Sequence, residues 1–105
     1  MELTELRERI DGIDREIVRL FTERMDICAD IARWKKENRV PVRDARREEE
    51  KLREVQELCP EELRCYVSSL YRLIMDLSGS RQERLLAHEA EASSKTCPDK
   101  RSETL

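Results

Sequence analysis

Apolar residues recur at helical spacing along the first third of the chain. Their intervals are 3, 4, 3, 4 and 3, then 7, 4 and 3, which places them on one face of a helix. The positions are Leu3, Leu6, Ile10, Ile13, Ile17, Leu20, Ile27, Ile31 and Trp34. Gly12 alone weakens this pattern, and the first proline is Pro41. The pattern predicts one helix from Leu3 to Lys36, roughly 50 Å long. So long a helix favours packing against a second copy of the chain.

A connector and a second helix are predicted next. The residue before Pro41 avoids the helical region, so the first helix is expected to end near Asn38. Asp44 is suited to cap a helix that runs from Ala45 to about Leu58. The inward positions of this helix are expected to be Ala45, Glu48, Leu52 and Val55. Glu48 therefore stands where an apolar residue would be expected.

A third helix is predicted after Pro60, which suits a first helical turn. Its apolar positions are Leu63, Val67, Leu70, Ile74 and Leu77. The pattern reaches Leu86 if the helix continues through Ser78-Gly79-Ser80, whose composition by itself favours a turn. Residues 1–88 are predicted to form one domain, and residues 89–105 a disordered tail.

Composition favours an all-α protein. Charged residues make up 43% of the chain and aromatic residues 4%, which fits a helical bundle better than a sandwich or barrel. The 21 basic and 24 acidic residues are mixed, unlike the one-sided basic surface of a nucleic-acid binder.

The chain has neither an apolar run long enough to span a bilayer nor a signal-peptide pattern, so a cytoplasmic protein is expected. The four cysteines lack metal-ligand spacing, so no metal site and reduced thiols are expected, with Cys28 a small core residue.

Polar residues interrupt the apolar face of each predicted helix. Arg24 and Lys35 are eleven residues apart, about three turns, and share a face. Ser78 and Gln82 follow Ile74 at intervals of four on the third helix. Each residue alone could have a structural explanation, since a cation can extend its charge to solvent and a polar seam residue can set helix register. Together with Glu48 they predict a pocket for a small, multiply anionic ligand.

Arg7 precedes Arg24 by seventeen residues, which is about 26 Å along a helix. It therefore cannot reach the pocket around Arg24 of its own chain. An antiparallel second copy could bring its own Arg7 there, which would give a two-fold dimer with two shared sites.

These residues give the chain a resemblance to the all-helical class of chorismate mutases, over roughly residues 3–87. Residues 6–14 (LRERIDGID) resemble the start of that family, and Glu23-Arg24 falls where its first-helix arginine does. Lys35, eleven residues after Arg24, resembles the lysine of the family's first helix. Residues 41–48 (PVRDARRE) are similar to its most specific segment, and Ser78 and Gln82 match its third-helix pair.

The resemblance implies a three-helix protomer, with a long N-terminal helix, intertwined into a homodimer. It also implies the rearrangement of chorismate to prephenate in phenylalanine and tyrosine biosynthesis. Arg24 and Arg7 of the partner subunit would bind the two carboxylates of chorismate, with Ser78 near one of them. Lys35 and Gln82 would face the ether oxygen as its bond to the ring breaks.

Three further residues have implied roles. Glu48 and Asp44 would hold the ring hydroxyl, and Arg47 would support them. The reaction is unimolecular, so the resemblance implies no metal and no cofactor. Catalysis would come from holding chorismate in its reactive conformer and from electrostatic stabilisation of the ether oxygen, with Lys35, Gln82, Arg24 and Glu48 as the catalytic residues.

Two other functions are considered. An isochorismate pyruvate-lyase has the same fold and a similar pocket, but residues 43–48 resemble the mutases more. A non-enzymatic coiled-coil interaction module would explain the first helix, but not the polar residues on the inward faces of all three helices.

Overall fold

The computed structural model describes residues 1–90. Over this range the chain forms three α-helices, one 3₁₀ turn and no strand, which confirms the all-α prediction. The helices are α1 (Leu3–Glu37), α2 (Ala45–Glu57) and α3 (Arg64–Ala90), and the 3₁₀ turn is Glu61–Leu63. The expected tail begins inside α3, which continues two residues past position 88. The rest of that tail lies outside the described residues.

The ends of α1 are stabilised by local hydrogen bonds. At its start, the backbone amide of Glu2 donates to Oε1 of Glu5 at 3.1 Å. At its end, Arg39 has a φ of 59°, in the left-handed region, and the amide of Val40 returns to the carbonyl of Lys35 at 2.8 Å. The end near Asn38 is as the sequence predicts.

Asp44 caps α2 as predicted. Its Oδ1 accepts a 3.1 Å hydrogen bond from the backbone amide of Arg47, and its backbone is extended. Along α2, Val55 is buried and Glu48 and Leu52 are half-buried, whereas Ala45 is exposed. The prediction that Ala45 faces inward is therefore wrong for the single chain, in which this first residue of α2 is open to solvent.

The sequence Ser78-Gly79-Ser80 does not form a turn. The helix α3 runs through it without a break, and both Ser78 and Gly79 are buried. Packing from neighbouring elements thus overrides the local preference of the tripeptide. The start of α3 also differs from the prediction, because Pro60 precedes the 3₁₀ turn and the α-helix begins only at Arg64.

Helices α1 and α2 both pack against α3. The face of α1 that meets α3 is centred on Cys28 and Ala32, which are 6% and 0% exposed. The apolar positions that predicted α1 point elsewhere and stay open to solvent in the single chain. They are Leu3, Leu6, Ile10, Ile13, Ile17, Leu20, Ile27, Ile31 and Trp34. We refer to these nine residues as the α1 stripe. Among residues 1–90, no helix is both long and apolar enough to cross a membrane.

Candidate functional site

A cavity of about 290 Å³ lies where the three helices meet. Seven of the eight predicted site residues line it, and they come from all three helices and from the connector between α1 and α2, residues 38–44. These seven are Arg24, Lys35, Asp44, Arg47, Glu48, Ser78 and Gln82. The structure therefore brings together polar residues that are up to 58 positions apart in the sequence.

Arg24 and Ser78 join α1 to α3 at one side of the cavity. Nη1 of Arg24 donates a 2.8 Å hydrogen bond to Oγ of Ser78, and that hydroxyl donates to the carbonyl of Ile74 at 2.8 Å. Ser78 is buried and Arg24 is half-buried. The serine thus fixes the direction of the guanidinium, whose other donors can face a ligand in the cavity.

Lys35 of α1 forms a hydrogen bond with the connector. Its Nζ donates a 2.6 Å hydrogen bond to the backbone carbonyl of Val42, and both residues line the cavity. An ammonium group has three donors, so this bond leaves two for a ligand. The contact holds the charge at the cavity wall rather than in bulk solvent.

The first turn of α2 supplies an acidic and a basic residue. The capping bond from the amide of Arg47 to Asp44 fixes the orientation of this turn, so Arg47 and Glu48 follow each other along the wall. Glu48 is half-buried. The turn therefore offers carboxylate acceptors beside a guanidinium donor.

Gln82 lies on α3 one turn beyond Ser78, and it is 7% exposed. Its Oε1 is buried and has no hydrogen-bond partner among residues 1–90. A buried amide oxygen without a partner costs about 1–3 kcal/mol. Gln82 lines the cavity, so its side-chain amide, whose oxygen has no partner among these residues, is placed to interact with a ligand there.

Arg7 is the predicted site residue that the single chain does not bring to the cavity. It lies exposed in the first third of the unbroken helix α1, seventeen residues before Arg24. The expected separation of about 26 Å therefore holds within one chain. Its predicted role depends on a second copy.

Seven further residues line the cavity that the sequence did not predict as site residues: Cys28, Ile31, Val42, Arg43, Lys51, Met75 and Gly79. Arg43 lies within the segment 41–48, but nothing in its local sequence indicated its partners. It contacts Asp76 and Glu83 of α3, and the hydrogen bond to Glu83 raises the pKa of the guanidinium above its ordinary value. Lys51 follows Glu48 by three residues, so helical spacing was the signal that could have identified it.

Positive charge predominates in the cavity wall. Five basic residues and two acidic residues line it: Arg24, Lys35, Arg43, Arg47 and Lys51 against Asp44 and Glu48. This excess suits a ligand with more than one negative charge. Within the described residues, no group of three or more histidine, cysteine, aspartate or glutamate side chains is arranged to hold a metal ion.

Comparison with known proteins gives matches of one kind. Residues 6–83 match the family model described as chorismate mutase type II. The chain is similar to a chorismate mutase from Methanocaldococcus jannaschii, with 35% identity over 57% of this chain and 61% of that protein. It is also similar to a bifunctional chorismate mutase/prephenate dehydratase from Buchnera aphidicola, with 35% identity over 76% of this chain and 21% of that protein. The chain thus spans less than two thirds of these relatives. No solved structure gives a significant match.

Proposed function

The chain belongs to the chorismate mutase type II family, and on that premise we propose that it catalyses the rearrangement of chorismate to prephenate. One observation carries the proposal: one cavity gathers seven polar residues from three helices and the connector in a chain of this family. Its volume, about 290 Å³, is at the lower end of the usual range for small-molecule sites. The net positive wall suits a substrate with two carboxylates.

The carboxylates of the substrate are proposed to bind arginine. Arg24, oriented by its hydrogen bond to Ser78, would bind one of them with charge-assisted hydrogen bonds. Arg7 of the partner subunit would bind the other. Holding both carboxylates restricts the flexible side chain of chorismate to the compact conformer in which the bond-forming carbons meet.

Lys35 and Gln82 are proposed to act on the ether oxygen. In the rearrangement the carbon–oxygen bond to the ring breaks while a carbon–carbon bond forms within the same molecule, so no external reactant enters. Negative charge develops on the ether oxygen. The two donors of Lys35 that remain after its bond to Val42, and the amide NH₂ of Gln82, would stabilise this charge in the transition state.

The first turn of α2 is proposed to hold the ring hydroxyl. Glu48 and Asp44 offer carboxylate acceptors for it, and Arg47 would balance their charge. Because Asp44 already accepts the capping bond from Arg47, Glu48 is the residue better suited to direct contact.

A homodimer is part of the proposal. The α1 stripe leaves nine large apolar side chains open in the single chain, more than a monomer ordinarily exposes along one face. A second copy packed on this stripe would cover it and could supply Arg7 to the cavity. A cytoplasmic location is proposed with it, and cell fractionation would test that.

The test is to incubate purified protein with chorismate, follow the loss of its absorbance, and identify the product after acid conversion to phenylpyruvate. The proposal expects prephenate, and it expects Lys35→Ala to abolish its formation. Lys36→Ala, at the neighbouring position outside the cavity, is the matched control. Pyruvate release from isochorismate without turnover of chorismate would instead support a lyase, and inactivity with both would leave an interaction module.

A further inference from the structure

Arg43 bridges the connector to two acidic residues of α3. Its Nε donates to Oε2 of Glu83 at 3.3 Å, and its Nη1 donates to Oδ1 of Asp76 at 3.3 Å. Asp76 and Glu83 are seven residues apart, which is two helical turns, so both lie on the same face of α3. Arg43 thus spans two turns of that helix.

Gly79 provides the space in which the guanidinium lies. It stands between Asp76 and Glu83 on α3, and a Cβ atom built on it would be 2.6 Å from Nη1 and 2.7 Å from Nε of Arg43. Side-chain carbons do not approach other heavy atoms so closely. A glycine in the middle of a helix ordinarily weakens it. The close approach of Arg43 explains why residue 79 is a glycine despite this cost.

The bridge lies directly before the first turn of α2. Arg43 is the residue before Asp44, whose side chain caps α2 by accepting from the amide of Arg47. That turn carries Arg47 and Glu48 into the cavity. Fixing Arg43 on α3 therefore sets where α2 begins, and with it where the proposed hydroxyl-binding residues lie.

We propose that Arg43 is a positioning residue, which holds the first turn of α2 against α3 through Asp76 and Glu83. Gly79 leaves the space that the guanidinium occupies. The proposal rests on the mutase function proposed above. Arg43 itself lines the cavity, but its Nε and Nη1 are both directed to carboxylates of α3. It therefore acts on the substrate through Asp44, Arg47 and Glu48.

The ion pairs of Arg43 are only partly shielded. The side chain of Arg43 is 40% exposed, and those of Asp76 and Glu83 are more exposed. Pairs of this kind add little to global stability. A positioning role requires a fixed geometry rather than much stability, so substitutions should affect the site more than the fold.

The experiment compares Arg43→Ala and Arg43→Lys with Arg19→Ala. Arg19 is a matched control, since it also pairs with two carboxylates, Glu16 and Glu23, but within α1 alone. We expect Arg43→Ala to lower kcat/KM about tenfold or more, with partial recovery in Arg43→Lys, while Arg19→Ala stays near the wild type. Thermal midpoints of the three variants should lie within a few degrees of one another.

Hydrogen exchange supplies a readout that is independent of activity. The amides of Arg47 and Glu48 bond to Asp44 in the first turn of α2, so Arg43→Ala should accelerate their exchange about tenfold and leave the middle of α3 unchanged. If activity falls but this exchange does not change, Arg43 contacts the substrate directly and the positioning role is wrong. If neither changes, the bridge has no role in the site.

A double variant tests whether Gly79 acts by leaving space for the guanidinium of Arg43. Gly79→Ala should lower kcat/KM in the presence of Arg43, because the added methyl group displaces the guanidinium, and should cause no further loss in Arg43→Ala. Additive losses would show that Gly79 acts independently of Arg43. If the wild type does not convert chorismate, the proposed function fails, but the exchange measurement still decides whether Arg43 holds the start of α2.

Discussion

Arg24 and Ser78 are 54 residues apart in the sequence, and a 2.8 Å hydrogen bond joins them across α1 and α3. The bond gives a partly buried guanidinium a fixed direction at the wall of the cavity. It also explains why two polar residues stand on inward helix faces, since each satisfies the other. A contact of this kind serves both the packing of the helices and the orientation of a binding group.

The first prediction concerns Arg24→Leu. It removes the proposed carboxylate contact, and we expect kcat/KM to fall about 10²–10³-fold, the usual loss for one preorganised electrostatic contact. The thermal midpoint should change by only a few degrees, because leucine needs no partner in a half-buried position and the hydroxyl of Ser78 keeps its bond to the carbonyl of Ile74. Steady-state kinetics and thermal unfolding measure the two effects, with Arg19→Leu as the exposed control. Full activity in Arg24→Leu would remove this residue from the site.

The helices and the shared location of the polar residues could be predicted from the sequence. Period and caps are local signals: the spacing of the α1 stripe predicts the helix, and Asp44 predicts the start of α2. The convergence of Arg24, Lys35 and Gln82 also follows, because polar residues on inward faces need partners wherever the helices meet.

The sequence did not predict which element packs against each helix face. Periodicity identified the α1 stripe as apolar, yet α3 packs on the neighbouring face around Cys28 and Ala32. The contacts of Arg43 span 33 and 40 residues, and no local pattern indicates them. The close approach of Arg43 to Gly79 could not be predicted either, because it exists only once α3 and the connector are assembled.

The second prediction concerns Gln82→Met, which keeps a side chain of similar size without the amide. Because Oε1 of Gln82 is buried without a partner among the described residues, we expect the thermal midpoint to rise by a few degrees. Turnover of chorismate should be lost with the proposed donor to the ether oxygen. Thermal unfolding and the chorismate assay measure this opposition between stability and activity.

The control for that substitution is Gln56→Met. Nε2 of Gln56 donates to Oγ of Ser68 at 3.0 Å, so its amide is satisfied and its loss should lower the midpoint without affecting the site. If Gln82→Met also lowers the midpoint, the amide of Gln82 is satisfied in the folded protein.

The third prediction concerns Arg39→Gly at the end of α1. Arg39 has a φ of 59°, a conformation that costs a non-glycine residue about 1–2 kcal/mol. Glycine removes this cost but loses more entropy on folding, so we expect a net gain of up to about 1 kcal/mol. Thermal unfolding should show a midpoint a few degrees higher. Glu37→Gly, two residues earlier and inside the helix, should lower it, and a lower midpoint in both variants would contradict the prediction.

The fourth prediction concerns Ile17→Glu in the α1 stripe. In the proposed dimer a second copy covers this position and would desolvate a carboxylate there without a partner, so we expect association to be lost and chorismate turnover to fall. Sedimentation equilibrium measures the association. Val18→Glu is the matched control, because Val18 is also exposed and apolar but lies outside the stripe. If both variants associate like the wild type, the stripe is not the interface.

The last prediction tests whether two copies share each site. Arg7→Ala and Lys35→Ala should each be inactive alone, since every site then lacks either its arginine or its lysine. Unfolding and refolding the two variants together should give hybrid dimers in which one site has both residues intact and the other lacks both. With random association, about half of the dimers are hybrids, so the mixture should recover about one quarter of wild-type activity.

Mixing Lys35→Ala with Gln82→Met gives the control, because both residues lie in the cavity of one chain and no hybrid site is complete. Recovery in that control, or none in the first mixture, would exclude a site completed by Arg7 of the partner subunit.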